Sequence, residues 1–282
     1  MHPLSEQDVS SFRADLHTHT LYSDGSCTPK ELIDLAVEAG LQAISITDHD
    51  TIEAYKEAIP YAKDKGLLLG TGVEFSSIYK TQNVHILGYN FDIDNPVLQA
   101  FCQQQQERRK NRNLIILDKL ARFRFIITAD ELEAVAAFQR AVGRPHIAKI
   151  LVDKGYVKSI QEAFSVYLGD GKCCYEQGDN GSLEEVIHVI TQAKGKVFLA
   201  HPHLIYDGLF VKQILSHPFD GIECYYGRCS KEKERRWLKM ARNRSLLISG
   251  GSDFHGSMKP YISLGCSWVP HKEFLEIFPQ YA

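Results

Sequence analysis

At 282 residues, 44% hydrophobic and 24% charged, the chain has the composition of an ordinary globular protein, with room for one large α/β domain or for one domain carrying an insertion. Its net charge of −3 gives no global basis for nucleic-acid or membrane binding, and no apolar run approaches the ~18–20 residues that span a bilayer. The start MHPLSEQDVSSF has neither the basic nor the apolar segment of a secretory signal. Seven cysteines, an odd number without disulfide-scaffold or CxxC spacing, point to a reducing, cytoplasmic setting.

Candidate strands end at His17, Thr47, Glu74, Tyr89, Ala200, Tyr225 and Ser249. Thr28-Pro29 opens a helix that Gly40 closes. From Leu98 to Gly181 the strand rhythm stops, and helix formers dominate, so residues 98–181 are predicted to be a helical insertion in an α/β body made of 1–97 and 182–282. Within it, Glu107–Arg124 carries seven Lys/Arg and two acidic residues. One reading is the solvated face of an amphipathic helix with Leu114, Leu117 and Ala121 inward. The other is an electrostatic guide for a 5'-phosphate or a short RNA end. Gly169-Asp170-Gly171-Lys172 lacks P-loop spacing and reads as a turn. Ser182 and Glu185 form a capping-box pattern, and Ser230–Arg244 reads as a polar, largely exposed helix with Trp237, Leu238 and Met240 available for packing. This alternation predicts a mostly parallel sheet, open or closed into a barrel.

The chemistry begins at ADLHTHTLYSDG. Residues two apart on a strand share a face, so His17 and His19 point the same way, and Asp24 follows in a glycine-containing loop. Alone, such a pair has an ordinary surface reading. It is joined by Asp48, His49 and Asp50 after an apolar strand, by Glu74 and His85 in strand patterns, by His201 and His203, and by Asp253 and His255. Strand ends of a parallel α/β body gather on one face, where sites are built. Imidazole and carboxylate without thiolate suit Mn²⁺, Zn²⁺ or Fe²⁺, and so many candidate ligands exceed what one ion can use.

At HTH…SDG, TDHD, GVE, HILGY, AHP and GSDFH the sequence resembles the PHP (polymerase and histidinol phosphatase) superfamily of metal-dependent phosphoesterases. The resemblance implies a distorted (β/α)7 barrel holding three divalent metal ions. It places His17, His19, Glu74 and Asp253 on the first ion, Glu74 with His85 and His201 on the second, and Asp24, His49 and His255 on the third. The helical insertion, the QQxERRxxR stretch at Gln104–Arg112 and GRPHIAKILVDKG from Gly143 resemble the branch of nucleoside 3',5'-bisphosphate phosphatases and a 5'-3' exoribonuclease. There the insertion covers the metal site, and by similarity Arg144 and His146 bind substrate phosphate. The stretches ECYYGRCS after Glu223 and CCYEQG depart from the family pattern, so no role is carried to them.

The implied reaction is attack of a metal-bridging hydroxide on phosphorus, with His203 and His146 as candidate proton donors to the leaving oxygen. The expected substrate is a 3',5'-bisphosphonucleotide or the 5' end of a short RNA, with no membrane and no obligate protein partner. A histidinol-phosphate phosphatase is the alternative within the superfamily, and a non-catalytic metal-bound module is the alternative outside enzymes.

Overall fold

The computed structural model describes residues 11–136, 141–205 and 207–282. The apolar runs become β1 (Ala14–Thr18), β2 (Ala43–Ile46), β3 (Leu68–Tyr79), β4 (Gln82–Tyr89), β5 (Gly181–Ser182), β6 (Lys196–Leu199), β7 (Gly221–Tyr226) and β8 (Leu247–Gly251). Their order in the sheet is β1-β2-β3-β4-β6-β7-β8, with the two-residue β5 beside β3. Only β4 runs antiparallel to its neighbours on this path; the other pairs are parallel. Beyond β8 the chain returns to β1. Thr18 and Phe254 form a parallel bridge, and the Asp253 N–H donates to the His17 carbonyl at 2.8 Å. The result is the expected α/β barrel, nearly closed and with one strand reversed.

That reversal corrects one strand boundary. β3 does not stop at Glu74 but continues to Tyr79, where Lys80 takes a left-handed φ of 56° and turns the chain directly into β4. The start of β4 therefore lies at the face where the parallel strands finish, and His85 sits opposite Ser76.

The longer α-helices among the described residues are α1 (Pro29–Glu38), α2 (Tyr55–Lys65), α3 (Pro96–Ala121), α4 (Ala129–Ala136), α5 (Arg144–Asp153), α6 (Leu183–Gln192), α7 (Gly208–Ile214), α8 (Lys231–Asn243) and α9 (His271–Ile277). Thr28 and Glu31 cap α1 reciprocally. At α6 only half of the expected box forms. Ser182 accepts from the Glu185 N–H, while the Glu185 carboxylate turns to Arg108 at 3.4 Å. Ser230 caps α8, whose Trp237 and Glu234 are buried.

Inside the barrel, Leu16, Leu87, Tyr89 and Phe198 pack with Phe274 and Phe278 from the C-terminal segment. Gly70 makes room for them, since a Cβ there would fall 2.4 Å from the Phe278 ring. The Tyr281 hydroxyl donates to the Leu69 carbonyl at 2.7 Å, so this segment closes the end of the barrel where strands begin. The opposite face is left for chemistry.

Between β4 and β5 the described residues form helices and loops without a strand. Ile116, Leu117, Leu120, Ile147, Ile150, Leu151 and Leu168 build an apolar cluster separate from the barrel core. α3 belongs to both, because Leu98, Phe101 and Cys102 near its start pack into the barrel side. Its buried face runs Leu98, Phe101, Gln105, Arg109, Arg112, Ile116 and Leu120, a helical period with a polar middle. Leu114 and Ala121, expected to face inward, are exposed; only Leu117 of that trio is buried. The inward phase is set by buried arginines rather than by an unbroken apolar stripe. Gly169–Lys172 is a turn, as read, closed by Lys172 N–H donating to the Gly169 carbonyl at 2.9 Å.

Candidate metal centre

Glu74 lies at the middle of the open face and is 1% exposed. Its Oε2 is 3.1 Å from His17 Nε2, 3.2 Å from His19 Nε2 and 3.5 Å from His49 Nδ1. Its Oε1 is 2.8 Å from both His85 Nδ1 and His201 Nε2. One carboxylate thus divides five imidazoles into two sets. On one side Asp253 Oδ1 stands 3.6 Å from His17 Nε2 and 3.4 Å from His19 Nε2. On the other side of His19, Asp24 Oδ1 is 3.2 Å from His255 Nε2, and Asp24 Oδ2 is 3.8 Å from His49 Nε2.

Among the described residues, three groups have ligand atoms close enough to share an ion: His17, His19, Glu74 and Asp253; His19, Asp24, His49 and His255; and His49, Glu74 and His85. The first two contain every residue expected together from the sequence, with His19 added to the second. The third brings in His49, whereas His201 approaches Glu74 without joining that trio. His19 Nε2, His49 Nδ1 and Asp24 Oδ1 are buried without a hydrogen-bond partner. Buried polar atoms are normally satisfied, so three orphans among these ligand groups fit bound cations.

Local backbone explains the convergence. Asp48 accepts from the Thr20 N–H at 2.7 Å and from the Ser23 hydroxyl at 2.6 Å, folding the 20–25 loop back over β1. Gly25 permits the fold, because a Cβ there would meet the His19 carbonyl at 2.3 Å. His201 and Asp253 hold φ of 26° and 59°, left-handed values that cost energy in non-glycine residues and aim both side chains inward. Glu223 was assigned no role from sequence. Its Oε1 is 2.8 Å from His17 Nδ1 and its Oε2 accepts from the His201 N–H at 2.6 Å, so His17 presents Nε2 to the cluster. A charge inside the apolar strand GIECYY was the available signal.

The charges compensate one another. Burial alone would depress His17, but the Glu223, Glu74 and Asp253 carboxylates hold it well above the ordinary imidazole range. Burial likewise opposes protonation of His19, and hydrogen bonds to Asp253 and Glu74 bring it up to about 9. Burial would raise Glu74, yet the surrounding imidazoles His49, His17 and His85 keep it well below the usual carboxylate range. A ligating imidazole must be neutral, so affinity for a divalent ion is expected to rise with pH up to about 9, with proton release on binding. Calorimetry of Mn²⁺ binding in buffers of different ionisation enthalpy measures those protons; none released at pH 7 would contradict this charge balance.

The remaining candidates lie around the cluster. His146 is buried; its Nδ1 accepts from the Gly143 N–H at 2.9 Å, and burial lowers its pKa against the pull of Asp24. His203 packs its ring against Tyr226 at 4.1 Å, and burial pushes it down to about 3. Arg144 donates to Asp170 at 2.6 Å and lies over the Tyr175 ring. Arg109 and Arg112, unassigned by sequence reasoning, are buried beside it.

A nearly closed α/β barrel with these clustered His, Asp and Glu side chains defines a metal-dependent hydrolase of the phosphoesterase class. The profile of the PHP domain matches residues 15–201, and the chain belongs to that family. The 5'-3' exoribonuclease Rnm of Escherichia coli strain K12 is 34% identical over 264 residues, 91% of this chain and 89% of the relative. The 3',5'-nucleoside bisphosphate phosphatase of Chromobacterium violaceum is 32% identical over 246 residues, 86% of each. A solved structure from Bifidobacterium adolescentis, designated a metal-dependent phosphoesterase, superposes with a TM-score of 0.87 at 30% identity over 96% of both chains.

Proposed function

We propose that this enzyme hydrolyses a phosphate ester of a nucleotide that carries a second phosphate, either the 3'-phosphate of a 3',5'-bisphosphonucleotide or the first linkage of a 5'-phosphorylated short RNA. The observation that carries the proposal is Arg112. It is 6% exposed, its Nε has no partner, and among the described residues no carboxylate pairs with it. Burial, with the neighbouring Arg109 and Arg144 charges, brings its pKa down to about 9. Its Nη2 donates to Asn113 Oδ1 at 3.2 Å, and a buried guanidinium without a carboxylate partner is costly unless an anion completes it. His146 Nε2, likewise buried and unpartnered, lies beside Asp24 and hence beside the metal cluster. A substrate with two phosphates satisfies both ends: one at the clustered His, Asp and Glu side chains, the other at Arg112 with Arg144.

The relatives' names support the same reading, one being a 5'-3' exoribonuclease and the other a nucleoside bisphosphate phosphatase. Three divalent ions, Mn²⁺, Zn²⁺ or Fe²⁺, would be held by His17, His19, Glu74 and Asp253, by Glu74, His85 and His201 with His49 alongside, and by Asp24, His49 and His255. When bound, such ions supply a hydroxide nucleophile at neutral pH and charge for the phosphoryl oxygens. The chain's own residues do the rest. Glu223 keeps His17 oriented, and Asp48 holds the Asp24 loop. Since His146 Nδ1 accepts a hydrogen bond, its ring proton lies on Nε2, and His146 serves as a hydrogen-bond donor to phosphate. His203, on the loop after β6, is the remaining candidate for donating a proton to the leaving oxygen. Seven unpaired cysteines suit a cytoplasmic setting. Among the described residues no helix is long and apolar enough to cross a membrane.

The test is phosphate and nucleotide release by Mn²⁺-loaded protein from 3',5'-bisphosphoadenosine, a 5'-phosphorylated short RNA and histidinol phosphate. Turnover of histidinol phosphate alone would overturn the nucleotide assignment. Arg112→Ala is expected to raise KM for the two-phosphate substrate about 10–100-fold, the loss of one charge-assisted phosphate contact. It should leave the bound metal content unchanged.

A further inference from the structure

One oxygen of the Asp253 carboxylate is gripped by two donors that are not among the clustered histidines. The Tyr226 hydroxyl and the Lys259 ammonium both donate to its Oδ2, each at 2.8 Å. Oδ1 is left facing His17, His19 and His255. The two donors come from different places: Tyr226 from the end of β7, in the stretch to which the family pattern assigned no role, and Lys259 from the loop after β8. Asp253 itself is held by its left-handed backbone and by its N–H on the His17 carbonyl. A free carboxylate can chelate an ion through both oxygens or swing between neighbouring ions. Here one oxygen is already filled by two strong donors, one of them charged.

We propose that Tyr226 and Lys259 are positioning residues that restrict Asp253 to one-oxygen ligation of the ion shared with His17 and His19. The proposal rests on the metal-centre reading above. Partners of this kind, one bond removed from a ligand, commonly change metal affinity about 10–100-fold.

The experiment titrates Mn²⁺ into metal-stripped full-length protein and follows bound metal per chain, then measures kcat and KM at saturating Mn²⁺. Lys259→Met and Tyr226→Phe are each expected to weaken Mn²⁺ binding about 10-fold or more, whereas Lys259→Arg, which keeps a charged donor, stays near wild type. At saturating Mn²⁺ the KM of each variant should match wild type. Lys259 sits on a loop, so its variants keep the test decisive even if Tyr226→Phe folds poorly; thermal unfolding of the metal-free proteins monitors this. Unchanged Mn²⁺ affinity in Lys259→Met would overturn the proposal. So would a raised KM with unchanged affinity, which would make Lys259 a substrate contact instead. Wild-type protein that binds no Mn²⁺ would remove the metal-centre reading itself, and this inference with it.

Discussion

Glu74→Gln should reduce phosphoesterase turnover by at least about 10³-fold while leaving the barrel folded. The substitution keeps shape and one acceptor oxygen but removes the carboxylate that, alone among the described residues, faces both sets of imidazoles, with His17 and His19 on Oε2 and His85 and His201 on Oε1. An amide cannot bridge two cations with two anionic oxygens. Losing a Lewis-acid arrangement worth several kcal/mol at the transition state converts to three or more powers of ten in rate. His49→Ala should be comparably severe, since His49 faces Asp24 with one ring nitrogen and Glu74 with the other. Phosphate release, metal per chain and circular dichroism are the measurements. A folded Glu74→Gln protein retaining more than about a tenth of wild-type activity would show that the carboxylate does not hold the reacting ions.

Much of this centre could be read from the chain because strand geometry is periodic. His17 and His19 had to share a face, and Asp253 and His255 followed an apolar run that had to end at the open face. Glu74 was conspicuous as a charge inside GTGVEF. Glu223 inside GIECYY gave the same kind of signal, but it acts by orienting His17 rather than facing the cluster, and spacing alone does not separate those roles. The reversal of β4 was hidden for a different reason. The turn at Lys80 adopts its left-handed φ without the Asn-Gly or Asp-Gly that usually marks a two-residue hairpin, so nothing local announced it. The orientation of α3 is hidden in the sequence because its inward stripe passes through Gln105, Arg109, Arg112 and Asn113. Polar residues at core positions look like a solvated face until the partner that buries them is known.

That partner makes Arg109 the second position where a single change should be severe. Its Nε donates to Asp50 Oδ2 at 2.5 Å and its Nη2 to the Ser76 hydroxyl at 2.8 Å, while the Ser76 N–H donates to Asp50 Oδ1 at 2.9 Å. Gln105 adds a bond to the Ser76 carbonyl at 2.9 Å. All four side chains are buried, so this network pins α3 to the residue after His49 and to the strand position opposite His85. Arg109→Ala leaves the Asp50 carboxylate buried and unpaired, which should cost about 3–5 kcal/mol of stability in urea unfolding. Removing the charge as well, in Asp50→Asn/Arg109→Leu, should recover a substantial part of that loss, because a matched neutral pair is not left with a stranded ion; Asn also tolerates the left-handed φ of 54° at position 50. Catalysis should not recover in parallel. Arg112 sits one turn further along the same helix face, so its distance from the clustered His, Asp and Glu side chains depends on how α3 is seated. The double variant is therefore expected to be clearly more stable than Arg109→Ala yet show a raised KM for a two-phosphate substrate. If Arg109→Ala costs under about 1 kcal/mol, the ion pair is not what seats the helix. If the double variant recovers both stability and KM, the alignment of Arg112 is set by the apolar contacts of Ile116, Leu117 and Leu120 alone.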